Sequence, residues 1–302
     1  MMVHMKELKG CITAMVTPFG KKLEVDYVGL RENVGFQIRN GISGLTPLGT
    51  TGESPTVTDA ERTKVISAVI DEANGRVPII PGTGTNSTEH TISLTKEAED
   101  LGADAALIVT PYYNKPSQEG IFRHFEAVSQ ATDIPIIVYN IAGRTGVNIE
   151  TSTLLRISSL DNVIGVKEAS GSITQIGDVI NTLPKPFRVL SGDDAITLPL
   201  LSLGGSGVIS VVSNLLPSSV SKMVAYALSG NMKKATELHF KLLPIFKGAF
   251  MDSNPVPIKT AMGLCGMPSG GFRLPLCEMK HSKEEKLRAI LHNYKELKLT
   301  NK

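Results

Sequence analysis

Short apolar runs punctuate the first two thirds of the chain, at residues 11–17, 42–48, 77–82, 105–110, 134–139, 163–167, 188–191 and 207–211. Each is only a few residues long and almost wholly apolar, the pattern of strands buried on both faces, as in a parallel sheet. Their starts lie mostly 25 to 35 residues apart, with a shorter last interval. Between most of them lies one stretch of helical period. Thr58-Asp59-Ala60-Glu61 is a capping box that opens a helix, and Asn74-Gly75 stops it. Residues 88–102, 118–132 and 151–159 read the same way. Eight strand-plus-helix units in series predict an α/β fold in which the strands close into a (β/α)8 TIM barrel. An open, doubly wound sheet is the alternative.

After Val211 the alternation stops. Residues 217–228, 231–250, 257–263 and 282–297 are helical in period with no strand between them. Asn254-Pro255-Val256-Pro257 is a helix start with proline in the first turn, and Ser282-Lys283-Glu284-Glu285 reads as a second capping box. The reading is a barrel domain over 1–224 and a C-terminal helical domain over 225–302, packed together because no low-complexity linker separates them.

Composition narrows the function more than the fold. A net charge of +2 and the lack of a basic stripe with interleaved aromatics argue against nucleic acid as a partner. No apolar run approaches the roughly 20 residues of a membrane span. Cys11, Cys265 and Cys277 are odd in number and widely spaced, which speaks against a disulfide framework or a structural zinc and fits a reducing cytoplasm. The methionine-rich start, residues 1–6, lacks the apolar core of a signal peptide.

Barrel active sites are built from the loops at the C-terminal strand ends. Here those ends read Gly49-Thr50-Thr51-Gly52-Glu53, Gly82-Thr83-Gly84, Thr110-Pro111-Tyr112-Tyr113-Asn114, Tyr139-Asn140, Lys167-Glu168, Ser191-Gly192-Asp193-Asp194 and Ile209-Ser210. Polar, aromatic and glycine residues concentrate there, and the opposite ends are dull. Gly49 to Gly52 is either an ordinary βα turn or, with positive φ at its glycines, an anion-binding nest. Gly82-x-Gly84-x-x-Ser87 lacks the third glycine of a dinucleotide fingerprint and reads as turn chemistry. Tyr139 is either packing or a hydroxyl at the barrel mouth, and Arg144 either a surface charge or a carboxylate fork. Asp193-Asp194 has no histidine at metal-ligand spacing, so an N-cap is favoured over a metal site. Lys167 marks a strand end pointing to water or does chemistry at the mouth. A lysine, a tyrosine, hydroxyls and an anion nest at one barrel end fit Schiff-base catalysis on a 2-oxo acid, with no metal or other cofactor.

Three of these segments carry a family likeness. Gly49-Thr50-Thr51-Gly52-Glu53, Tyr139-Asn140 with Gly143-Arg144-Thr145-Gly146, and Gly165-Val166-Lys167-Glu168-Ala169-Ser170 resemble the signatures of the dihydrodipicolinate synthase / N-acetylneuraminate lyase family of class I aldolases. The likeness runs from about Gly10 to Leu276. Tyr112-Tyr113-Asn114-Lys115-Pro116 and Asn254-Pro255-Val256-Pro257-Ile258-Lys259 point to the synthase branch. The resemblance implies that Lys167 forms an imine with pyruvate and that Tyr139 donates and accepts protons. It implies a relay through Thr50 and Tyr113, with Tyr113 supplied by a neighbouring subunit of a homotetramer built as a dimer of dimers. Thr51 would bind the pyruvate carboxylate, Ile209 and the Gly192 carbonyl would line the pyruvate pocket, and Arg144 would hold aspartate 4-semialdehyde. The implied product is 4-hydroxy-tetrahydrodipicolinate, in lysine and diaminopimelate biosynthesis. Another pyruvate-dependent aldolase, a 2-keto-3-deoxy sugar acid lyase or dehydratase, and a non-catalytic metabolite-binding barrel are the alternatives.

Two departures stand out. Ala142 replaces the usual loop proline before Arg144. Asp59, Arg62 and His90 replace the histidines and glutamate of the lysine-inhibited cleft, although Ser54, Asn86 and Tyr112 match it. Weak or absent inhibition by L-lysine is the expectation, since Arg62 would repel the ligand's ammonium.

Overall fold

The structure, a computed structural model, describes residues 8–300, so the methionine-rich start lies outside the described residues. Seven parallel strands form one sheet: β1 (Gly10–Ala14), β2 (Gly44–Thr46), β3 (Ala106–Val109), β4 (Ile136–Asn140), β5 (Val163–Glu168), β6 (Arg188–Ser191) and β7 (Gly207–Ser210). Their order is β2-β1-β7-β6-β5-β4-β3. The third expected strand, 77–82, is a correction: it makes only isolated bridges, Leu45 with Ile79 and Gly82 with Leu107. Pro78 and Pro81 have no N–H to give a ladder. The Ile79 amide turns instead to the Asp104 carboxylate at 2.8 Å. The segment still spans the gap between β2 and β3. Ile80 N–H reaches Leu45 O at 2.8 Å, and Leu107 N–H reaches Pro81 O at 2.9 Å. The sheet thus closes into a barrel. Glycines make that approach possible, since a Cβ on Gly82 would lie 2.4 Å from Leu48 O and one on Gly84 2.4 Å from Val109 N.

Eight helices accompany the barrel strands: α1 (Tyr27–Arg39), α2 (Asp59–Ala73), α3 (Thr88–Asp100), α4 (Gln118–Ala131), the single turn α5 (Ala142–Thr145), α6 (Thr151–Ile157), α7 (Ile173–Thr182) and α8 (Thr197–Ser202). The Thr58–Glu61 capping box opens α2, and Asn74 closes it in the left-handed conformation. Ser87 and Ser117 cap α3 and α4. The C-terminal helices are α9 (Pro217–Leu228), α10 (Met232–Gly248), α11 (Val256–Leu264) and α12 (His281–Leu291). α12 starts one residue earlier than its expected capping box. Its first bonds run to Lys280 O, at 2.8 Å from Lys283 N and 3.1 Å from Glu284 N. No side chain caps it, and Lys283 is drawn to Asp252 at 2.7 Å.

The core has three parts. Ile12, Ala14, Ile80, Leu107, Ile137, Tyr139, Leu190 and Ile209 are among the residues filling the barrel. Phe125, Val128, Leu154, Ile176 and others seal α4, α6 and α7 onto the sheet. The third cluster runs without a break from Cys11 and Leu45 to Ile258, Met262 and Leu287. Buried Val220, Met223 and Val224 of α9 belong to it, each contributing about 1.5–3 kcal/mol by leaving water. Residue 224 therefore lies inside one helix and one continuous core, and the C-terminal helices are held against the barrel.

Candidate active site

Strand register sets the centre of the site. Tyr139 on β4 pairs with Lys167 on β5, and Asn140 pairs with Glu168. Successive side chains alternate between faces. Tyr139 and Lys167 point into the barrel, while Asn140 and Glu168 point out and bind each other at 3.1 Å. Lys167 Nζ lies over the Tyr139 ring, 4.1 Å from its centroid. Gly192 stands alongside, where a Cβ would lie 3.1 Å from Lys167 Cε and 2.7 Å from Ala169 Cβ. Only glycine leaves Lys167 this path.

Burial governs the electrostatics. Lys167 is 6% exposed. Desolvation lowers its pKa to about 7, against the charge of Asp194, and the Arg144 charge lowers it further. Tyr139 is pushed up to about 12 by burial, while Arg144 and a hydrogen bond with the Thr50 side chain act the other way. The Asp194 carboxylate accepts from Ser210 Oγ at 2.5 Å and from the amides of Val211 and Val212 at 2.9 and 3.1 Å. Burial raises its pKa to about 6. Asp193 is the N-cap expected from the sequence, accepting from Ala195 N–H at 2.8 Å. Asp194 is the residue sequence reasoning missed. One aspartate caps the turn, so the second needs another explanation, and its charge faces Lys167.

Of its two readings, the Gly49–Gly52 loop takes the turn and not the nest with positive φ at its glycines. Gly49 is extended (φ −78°, ψ −167°), Thr50–Gly52 form a 3-10 turn, and the left-handed residue is Glu53 (φ 54°, ψ 37°). The turn consumes the Gly52, Glu53 and Ser54 amides, which bond to Gly49 O and Thr50 O. Thr50 and Thr51 open the turn, where a helix has unspent N–H groups. Thr51 Oγ1 accepts from Asn254 Nδ2 at 3.0 Å, and Asn254 O accepts from Arg144 Nη2 at 3.3 Å. Asn254 thus joins two sequence-predicted binding residues. The Asn254–Lys259 motif pointed to the branch without disclosing that contact.

Thr50, Tyr139 and Arg144 line a cavity of about 450 Å³, and Asp59, Arg62 and His90 line the same cavity. Ile209 is fully buried on β7 inside the barrel. Tyr113 does not join the group within its own chain. It is 88% exposed and holds φ 74°, a left-handed conformation rare for a bulky residue. Arg62 is buried, donating to Ser54 Oγ at 2.8 Å and to Gly82 O at 2.5 Å.

A buried amine, a phenol, hydroxyls and an arginine at the C-terminal barrel mouth define a Schiff-base aldolase type of site. The chain belongs to the dihydrodipicolinate synthetase family, whose model matches residues 7–294. It is 51% identical over 288 residues to the 4-hydroxy-tetrahydrodipicolinate synthase of Protochlamydia amoebophila, covering 94% of this chain and 96% of that one. The enzyme of the same name from Methanocaldococcus jannaschii is 48% identical, covering 94% and 97%. The crystal structure of dihydrodipicolinate synthase from Aquifex aeolicus superposes with a TM-score of 0.95 at 44% identity, covering 97% of this chain and 100% of that one.

Proposed function

We propose that this chain condenses pyruvate with L-aspartate 4-semialdehyde through an imine on Lys167, giving 4-hydroxy-tetrahydrodipicolinate for lysine and diaminopimelate biosynthesis. The observation that carries the reading is a buried Lys167 with its pKa near 7, registered beside Tyr139 at the barrel mouth. The neutral amine attacks the ketone carbon of pyruvate, and water leaves as the iminium forms. The iminium then acidifies the methyl group: a proton leaves it through the Tyr139 relay, the C–H electron pair flows towards the iminium nitrogen, and the resulting enamine attacks the aldehyde carbon of the second substrate. That substrate's amine next attacks the iminium carbon, closing the ring and freeing Lys167. The lysine is itself the electron sink, so the steps need no metal or other cofactor.

Tyr139 moves the protons, relayed by Thr50, whose side chain already bonds it. Tyr113 completes the relay from a neighbouring subunit, in keeping with its exposure and its left-handed backbone. The assembly is a homotetramer of tight dimers. Thr51 receives the pyruvate carboxylate, and Ile209 with the Gly192 carbonyl forms the wall of the pyruvate pocket. Arg144 takes the carboxylate of the semialdehyde through a charge-assisted pair. Among the described residues no helix is long and apolar enough to cross a membrane. The proposed location is the cytoplasm.

Borohydride reduction in the presence of pyruvate tests the imine. The expected result is a reduced pyruvyl adduct on Lys167 that vanishes in Lys167→Ala. An unmodified Lys167 in the wild-type protein sinks the reading. Turnover of 2-keto-3-deoxy sugar acids in preference to aspartate 4-semialdehyde keeps the imine and overturns the choice of second substrate.

A further inference from the structure

Four charges that no catalytic step uses, Glu53, Lys259, Arg273 and Glu61, stand together behind the site. They form a chain that crosses from the barrel to the C-terminal helices. The Glu53 carboxylate follows the Thr50–Gly52 turn directly and is 1% exposed on its side chain. Lys259, in the middle of α11, is fully buried and reaches Glu53 Oε1 at 2.6 Å. A second Lys259 proton goes to Gly271 O at 2.7 Å, and the ammonium sits over the Phe19 ring at 4.3 Å. Arg273 N–H approaches Glu53 Oε2 at 3.4 Å, while its guanidinium grips Glu61 through both oxygens at 2.7 and 2.6 Å. The same α11 segment begins at Asn254, which holds Thr51 and Arg144.

Physical chemistry makes this pair hard to account for as a stabiliser. Two buried charges lose hydration that their attraction hardly restores, and apolar replacements of similar volume are often neutral or stabilising. What a buried pair does supply is a fixed geometry. Glu53 sits at positive φ, a conformation that persists in a non-glycine residue only where its surroundings hold it.

We propose that the Glu53–Lys259 pair is a positioning device of the site: it pins the turn after Thr50 so that the Thr50 hydroxyl meets Tyr139. Neither residue touches substrate, and both act through Thr50. The inference rests on the proposed relay through Tyr139 and Thr50. It predicts that the helical appendage sets the rate of a reaction whose reacting groups are all on the barrel.

The test is the double variant Glu53→Gln/Lys259→Met, which removes both charges and keeps their shape, assayed alone and on a Thr50→Val background. The expected double variant melts at or above the wild-type temperature and still forms the borohydride-trapped imine. Its kcat for the full condensation falls about 10²-fold, the effect of a misplacement on the order of 1 Å, with a smaller change in KM for pyruvate. On the Thr50→Val background the same two substitutions cost little further kcat. Lys259→Arg, which keeps the charge, recovers part of the rate. Wild-type kcat in the double variant overturns the proposal, as does an additive loss on the Thr50→Val background. If the double variant does not fold, the pair is a stabiliser and the proposal fails on that ground. An untrappable wild-type imine is a different result and defeats the catalytic reading instead.

Discussion

Lys167 allows the sharpest test, because burial sets its charge and two neighbours that can be removed one at a time, Asp194 and Arg144, adjust it in opposite directions. Its pKa stands at about 7 against an ordinary 10.5. At pH 7 that leaves about half the amine neutral, against roughly one part in three thousand for an unperturbed lysine, a gain of about 10³-fold in nucleophile. The shift corresponds to about 5 kcal/mol of differential destabilisation of the ammonium. Asp194 opposes it and Arg144 adds to it. Asp194→Asn is nearly isosteric: its carbonyl oxygen can keep the Val211 and Val212 amides, and its amide can face the Ser210 hydroxyl. The assay is the rate of imine formation with pyruvate alone, quenched by borohydride, as a function of pH. The wild-type rate should rise through a midpoint near 7 and level off. The midpoint should fall in Asp194→Asn and rise in Arg144→Gln. A wild-type midpoint near 10, or both variants moving in the same direction, refutes the electrostatic reasoning. The same pKa carries a stability sign. The folded value lies below the unfolded one, so the unfolded chain binds more protons between about pH 7 and 10.5, and stability climbs with pH there. Lys167→Met should abolish that climb and gain about 4 kcal/mol near pH 7, read from denaturant midpoints.

Ala142 opens the α5 turn, where an N–H has no intrahelical partner, and Ile141 before it (φ −145°, ψ 78°) lies outside the helical region that a following proline disfavours. Ala142→Pro should therefore stabilise by about 0.4–1 kcal/mol with kcat unchanged, measured by melting and steady-state assay. His124 is buried with Nε2 unpartnered, and burial lowers its pKa to about 4 from 6.5. The unfolded state binds more protons between those values, so stability should fall by about 3 kcal/mol as pH drops from 6.5 to 4, and His124→Asn should flatten that loss. Tyr113→Phe and Lys167→Ala, each nearly inactive, should regain activity when unfolded and refolded together. Random pairing leaves about a quarter of sites intact, and a mixture no better than its parts rejects the shared site. L-Lysine should inhibit weakly, because the Arg62 guanidinium lines the cavity and repels the ligand's ammonium; a low-micromolar inhibition constant contradicts this.

Much of this was legible before any coordinates, for local reasons. Apolar runs and caps report on neighbours in sequence, so β5, α2 and α9 fall where the pattern puts them. Even the broken pairing at 77–82 is written in Pro78 and Pro81, whose missing donors interrupt the ladder. The surroundings of the loop after Gly49 were not legible, because Asn254 holds Thr51 and Lys259 holds Glu53. Those contacts span more than 200 positions, beyond the reach of any periodicity. One trace was available: Lys259 is the only charge in the nine residues of α11, and an isolated charge in an apolar helix demands a buried partner. The Asp193-Asp194 doublet held a similar hint, since a turn needs one cap.

The span between Glu53 and Lys259 also has a meaning in time. Their separation is 206 positions, and chains grow at about 5–20 residues per second, so roughly 10–40 seconds pass between the synthesis of one partner and the other. Through that interval the nascent barrel carries its lysine, its phenol and its threonine turn, yet the carboxylate behind the turn has no counter-ion. On the positioning role proposed for the pair, full competence for the condensation arrives late, when α11 docks. A ribosome-bound intermediate traps pyruvate on its lysine, yet carries the reaction no further at full rate until α11 is in place.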